Sequence, residues 1–203
     1  PAVEYSDGGK EWWYDGKLHR DNGPAVEFIN GDKVWYKAGE YHREDGPAII
    51  TERGYKAWCE NGDLHREDGP AVIWPDGCEE WYKNGKRHLE GGPTIICEDG
   101  RQDWYKKGLL HREGGPAVIY VDGTEKWYKN GVFNREDGPA ITYPDGTKKW
   151  YKNGFRHRED GPARIYSDGD KEYWLKGKLL SFEEWFQEIT SEARFSYLFS
   201  GEE

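Results

Sequence analysis

Apolar and polar positions alternate over very short stretches of this chain and return with a fixed step. Segments such as Glu125-Lys126-Trp127-Tyr128-Lys129 are rich in strand-favouring aromatic residues and lie between two turn signals. One signal is Asp-Gly or its equivalent, as at Asp7-Gly8, Asn30-Gly31, Asp76-Gly77, Asp99-Gly100, Asp122-Gly123, Asp145-Gly146 and Asp168-Gly169. The other is typically Asn-Gly, at Asn61-Gly62, Asn84-Gly85, Asn130-Gly131 and Asn153-Gly154. Both dipeptides favour the positive φ values of a two-residue type I′ turn, so the pattern predicts successive β-hairpins. A Gly-Pro pair recurs at 23, 46, 69, 92, 115, 138 and 161, a step of 23 residues without insertion or deletion. A fixed period of this size marks a repeat array in which each repeat contacts mainly its neighbours.

Two-residue turns would fix the pairing. Around Asp145-Gly146 they set Ile141 opposite Trp150, and around Asn153-Gly154 they set Trp150 opposite His157. Ile141, Tyr143, Trp150 and His157 then share one side, and Ala140, Thr142, Tyr151 and Arg156 the other. Repeated along the chain, the first side becomes a stripe of Val or Ile, Trp and His. Proline lacks a ladder donor, so each Gly-Pro is expected at a strand start or a bulge. Two main strands per repeat advance it by ~10 Å, which predicts a twisted ribbon of roughly 75 Å.

The pattern breaks near residue 180. Ser181-Phe182-Glu183-Glu184 has the form of a capping box, and Phe182, Trp185, Phe186 and Ile189 follow at helical spacing. A second short helix is expected from Ser191, carrying Ala193, Phe195, Leu198 and Phe199. These helices read as a lid over the last hairpin or as a docking element.

Composition fits a thin sheet. Trp and Tyr together number 25, Gly 27 and Met 0, so aromatic rows would supply most of the buried area. Net charge is −10, with both signs interleaved. The absence of a Lys/Arg cluster disfavours direct nucleic-acid binding. The three cysteines, Cys59, Cys78 and Cys97, occupy three different repeat positions without a CxxC spacing. Zinc or a disulfide framework is therefore not expected, and free thiols suit a reducing compartment. With no long apolar segment or signal-peptide pattern, the expectation is a cytoplasmic protein without a transmembrane segment. The start at Pro1 fits either removal of an initiator Met or a fragment of a longer array.

His-Arg-Glu-Asp-Gly-Pro-Ala, intact at 42–48, 65–71 and 157–163, invites an acid–base reading. Yet all six histidines (19, 42, 65, 88, 111 and 157) fall on one repeat position, with Asn134 there in another repeat. A ladder of copies points to structure, with His stacked on the opposing Trp and Arg paired to a carboxylate of a neighbouring repeat. Histidines one repeat apart, near ~10 Å, are too distant to share a metal. No catalytic group, metal or cofactor is expected.

The repeat resembles a MORN repeat, in the segment aromatic-x-Asn-Gly-x-x-His followed by a strand and Asp-Gly, as in Tyr82-Lys83-Asn84-Gly85-Lys86-Arg87-His88. It is most similar to bacterial and viral variants, with Arg-Glu-Asp-Gly-Pro where the usual family carries Gly-x-Gly after the His. The resemblance, over Pro1 to about Gly177, implies a single-layer antiparallel sheet of hairpins. With the repeat count and the helices read above, the expectation is an all-β fold, an elongated single-layer twisted antiparallel sheet (a β-hairpin solenoid) of eight repeats over 1–180, with a helical cap over 181–203. The resemblance also implies a scaffolding or binding role without enzyme activity.

Candidate partner-binding residues are the Trp row (Trp35, Trp58, Trp81, Trp104, Trp127, Trp150) and the neighbouring Tyr82, Tyr105 and Tyr128. To these are added the deviant positions Arg87, Arg156 and Arg164, and Trp185 and Phe186 of the cap. Acidic charge favours a protein partner with a basic surface, including a nucleic-acid-handling protein that the array would occlude as an inhibitor, antitoxin or viral counter-defence protein. The alternatives are a glycan or small-ligand array on the Trp/Tyr ladder, and a structural spacer that self-associates.

Overall fold

The computed structural model describes residues 2–199 and is built of short antiparallel β-hairpins followed by two helices. It divides into two compact units, Pro1–Gly108 and Leu109–Glu203. In the N-terminal unit the main ladder pairs Ala2–Glu4, Lys10–Tyr14, Val26–Glu27, Lys33–Val34, Ile49–Ile50, Lys56–Ala57, Val72–Ile73, Glu79–Glu80, Ile95–Ile96 and Gln102–Asp103 in that order. The C-terminal unit runs Val118–Ile119, Glu125–Lys126, Ile141–Thr142, Lys148–Lys149, Arg164–Ile165, Lys171–Leu175 and Lys178–Leu180. The all-β hairpin array with a C-terminal helical cap is thus what the chain forms.

A second set of hairpins branches from this ladder, for example Tyr82–Lys83 with Lys86–Arg87 and Tyr151–Lys152 with Phe155–Arg156. The branch point is the Trp row. Trp150 donates its backbone N–H to the Ala163 carbonyl at 2.8 Å, while its own carbonyl accepts from the N–H of His157 at 3.2 Å. The same pair of bonds occurs at Trp12, Trp35, Trp58, Trp81 and Trp127, so the chain changes partner at each of these residues. Beside these junctions lie small residues, Ala25, Ala48 and Ala71 in one unit and Ala117, Ala140 and Ala163 in the other, all fully buried.

The two turns differ. At the Asn-Gly turns both residues have positive φ, 49° and 87° at Asn61 and Gly62, as type I′ requires. At the Asp-Gly turns only the glycine does, as at Gly146 with φ 90°. There Tyr143 and Thr147 close a three-residue loop, with Thr147 N–H donating to the Asp145 carboxylate at 2.8 Å. This is a type I turn ending in a left-handed glycine. The extra loop residue shifts the register by one, so Ile141 opposes Lys149 rather than Trp150. A one-residue shift exchanges faces, and the expected Val/Ile–Trp–His stripe does not form. One face instead carries Val26, Val34, Ile49, Ala57 and Val72 in successive register. Each Gly-Pro lies just ahead of a strand; Pro24 precedes Val26–Glu27.

The cysteine expectation is also overturned. Register brings Cys78 and Cys97 together from neighbouring repeats, extending the pairing of Glu79 with Ile96, and they form a disulfide. Only Cys59 is a free thiol, buried with Ala48, Ala57 and Val72. The cysteines therefore give no support to a reducing compartment.

Helix α1, Phe182–Glu188, starts on the expected capping box: Ser181 Oγ accepts the Glu184 N–H at 3.2 Å, and the Glu184 carboxylate accepts the Ser181 N–H at 2.9 Å. Helix α2 is Ser191–Phe199. No helix among the described residues is long and apolar enough to cross a membrane.

Candidate binding surfaces

In most repeats the loop that follows the branch hairpin is built around its arginine. Arg66 lies over the Trp58 ring at 4.1 Å, donates to the Pro70 carbonyl at 3.1 Å and contacts Asp68 at 3.4 Å. Arg43, Arg135 and Arg158 repeat this arrangement on Trp35, Trp127 and Trp150 at 4.1, 3.9 and 4.3 Å. The expected partners are thus corrected. It is Arg, not His, that stacks on Trp, because the guanidinium plane can cover the ring while its edge reaches oxygen acceptors. The carboxylate that Arg43, Arg66, Arg135 and Arg158 meet belongs to their own loop, whereas Arg20 reaches Glu27 of the next repeat at 3.2 Å, as expected.

Histidine has a different task. His42 Nδ1 accepts the N–H of Asn61 at 3.2 Å, and His111 Nδ1 that of Asn130 at 3.1 Å, each the first residue of the next repeat's type I′ turn. Asn134 performs the same bond with its Oδ1, at 2.9 Å from Asn153 N. The histidine row couples one hairpin to the next.

The Glu and Asp of the same loops point outward. The side chains of Asp45, Asp68 and Asp137 are 83, 89 and 81% exposed. Lys37 beside Glu44 and Arg43 beside Asp45 hold both carboxyls below the usual range. Open grooves run between successive loops. One, lined by 42–46, 58–60 and 65–68, sets five carboxylates (Glu44, Asp45, Glu60, Glu67, Asp68) against Arg43 and Arg66. Glu60 stands where other repeats carry Lys37, Lys83, Lys129 and Lys152. The groove before it includes Lys37 and balances three cations with three carboxylates. Alignment of the repeats would have exposed Glu60 as a charge inversion, a signal the aromatic pattern masked.

The deviant arginines serve carboxylates, one buried and one half-buried. Glu80, 7% exposed, accepts from Arg87 Nη2 at 2.9 Å, Trp74 Nε1 at 2.8 Å and Tyr82 Oη at 2.8 Å. Arg87 also lies 5.2 Å from the Tyr105 ring centre. Arg156 and Arg164 approach Glu172 at 3.4 and 3.6 Å. Tyr128 stacks on Phe133 at 4.2 Å. Trp81 and Trp104 are half-buried like the rest of their row, with Leu89 replacing the arginine in the loop after Trp81. Trp185 is fully buried against Leu175, Leu180 and Ile189, with its indole N–H on the Arg158 carbonyl at 2.9 Å. It is a core residue of the cap and offers no contact surface, and Phe186 packs beside it. Among the described residues no group of three or more His, Cys, Asp or Glu is placed to hold a metal.

No family model matches the chain, and no curated protein matches it. Among solved structures it aligns with the G-box domain of the microcephaly protein CPAP, at 19% identity over 85% of this chain and 96% of that one. The TM-score is 0.19, so the likeness carries no argument.

Proposed function

We propose that this chain is a non-catalytic protein-binding array of MORN type that engages a basic partner through its acidic loops, as an inhibitor or counter-defence protein occluding a nucleic-acid-handling surface. The observation that carries this reading is the division of labour in five of the loops: the arginine is folded inward onto Trp, and the carboxylates project into open grooves. The groove around Glu60 is the most acidic of those described and is the proposed centre of contact. A catalytic reading finds no such support, since the histidines are spent on backbone N–H groups in five repeats. The glycan-array reading is weakened because guanidinium groups cover the rings of Trp12, Trp35, Trp58, Trp127 and Trp150.

The test is capture from host-cell extract on immobilised full chain, with bound proteins identified by mass spectrometry. A stoichiometric basic protein should bind at about 50 mM salt, release by about 500 mM, and be lost when Glu60 and Glu67 are replaced by Lys. Retention that ignores salt and these substitutions, or capture of glycan alone, overturns the reading.

A further inference from the structure

One face of the C-terminal unit breaks the charge logic of the rest. Strand register places Lys126, Ile141, Lys149, Arg164 and Glu172 opposite one another in turn. In the N-terminal unit the equivalent row is apolar from Val26 to Val72. Lys149 and Arg164 are direct cross-strand partners, which brings their Cβ atoms to about 5 Å and sets like charges against each other, an arrangement that costs stability.

The cations are poorly matched. The Lys149 ammonium donates to Tyr143 Oη at 3.0 Å, and no carboxylate among the described residues lies within ion-pair distance of it. Arg164 lies 3.7 Å over the Tyr166 ring and shares Glu172 with Arg156. Lys149, Arg156 and Arg164 against Glu172 give 3 − 1 = +2. The Nε atoms of both arginines are buried without an acceptor. Glu172 is already committed: burial pushes it up, but bonds from Tyr166 and Trp174 and the two guanidinium groups hold its carboxyl below the usual range.

We propose that Lys149, Arg156 and Arg164, with the hydroxyl of Tyr143, form a receptor for a phosphate-class dianion. The net charge of +2 matches such a group, whose charge near pH 7 is about −1.5 to −2. An ammonium, guanidinium edges and the Tyr143 hydroxyl are donors of the kind that tetrahedral oxyanions take, while the Tyr166 hydroxyl stays on Glu172. The like-charge pair costs stability that a bound anion would relieve. This surface is separate from the acidic loops, and either reading can fail without the other.

The experiment is thermal unfolding and titration calorimetry of the full chain with inorganic phosphate, against potassium chloride of equal ionic strength. Two variants restore residues the array uses elsewhere: Lys149→Val, after Val34, and Arg164→Val, after Val72 and Val118. Saturating phosphate should raise the wild-type midpoint by roughly 5 °C, with one site per chain. Lys149→Val should bind phosphate at least tenfold more weakly, and without phosphate it should be as stable as wild type or more so. Arg164→Val should likewise lose the phosphate response. Flotation on phosphatidylcholine vesicles with phosphatidic acid separates the sources: Lys149-dependent flotation assigns the monoester to a lipid, and a phosphate response without flotation assigns it to a soluble ligand. A phosphate effect no larger than that of chloride, or an undiminished one in Lys149→Val, overturns the proposal. So does a Lys149→Val variant that is destabilised without phosphate, which would make the cluster structural.

Discussion

At Gly69 an added Cβ would stand 2.8 Å from Cζ of Arg66, and at Gly161 the same distance from Cζ of Arg158. Neither glycine has a positive φ, so it is the guanidinium lying on the backbone, not an unusual conformation, that excludes a side chain. Trp, Arg and Gly form a three-layer stack, and the following Pro supplies the acceptor carbonyl. Gly69→Ala should therefore act through Arg66, lifting it from Trp58 at a cost of about 1–2 kcal/mol. A double-mutant cycle by urea unfolding checks this: in an Arg66→Ala background the same glycine change should cost a few tenths of a kcal/mol at most. Equal costs in both backgrounds would mean that the glycine acts without the arginine.

At the scale of the hairpin, the type I′ turns tolerate a non-ideal residue only at a cost. Ala38 holds φ 53° where Asn61, Asn84, Asn130 and Asn153 hold 49–52°. An alanine there meets the steric penalty of the left-handed region, which asparagine relieves with its short polar side chain. Ala38→Asn should raise stability by about 0.5–1 kcal/mol, seen as a higher urea midpoint with an unchanged slope, and Asn84→Ala should lower it by a similar amount. The same turns show how far the sequence could be read. Asn-Gly was legible because both residues must take positive φ. Asp-Gly misleads because only its glycine does, and the clue was Pro75 and Pro144, which fix φ near −65° at the first loop position and so specify a type I turn. That single misread residue changed faces for every strand after the turn, and with them the partner of Trp150. The helical cap was legible to the residue because a capping box and its apolar spacing are local signals. The ion pairs of Arg87 with Glu80 and of Arg156 with Glu172 were not, because finding them requires the register.

Across the molecule, energy is shared between neighbouring repeats, so a perturbation should stay near its origin. The Cys78–Cys97 disulfide tests this, since it ties two repeats of the N-terminal unit over a separation of 19 residues. Closing such a loop constrains the unfolded chain by about 3 kcal/mol. Reduction with dithiothreitol should lower the stability of that unit by up to this amount and leave the C-terminal unit unchanged. Hydrogen exchange read by mass spectrometry resolves the two: exchange should quicken in peptides from 72–103 and stay constant in those from 141–189. Thiol labelling calibrates the state of the sample. Burial, with the nearby charge of Asp63 adding to it, pushes the Cys59 thiol up to about 11. The folded oxidised chain should thus resist labelling at pH 8, and one thiol should appear on unfolding without reductant and three with it. Exchange that quickens equally in both units would show that the array unfolds as one cooperative body. Exchange unchanged in both would show that the disulfide adds nothing to a register the strands already hold.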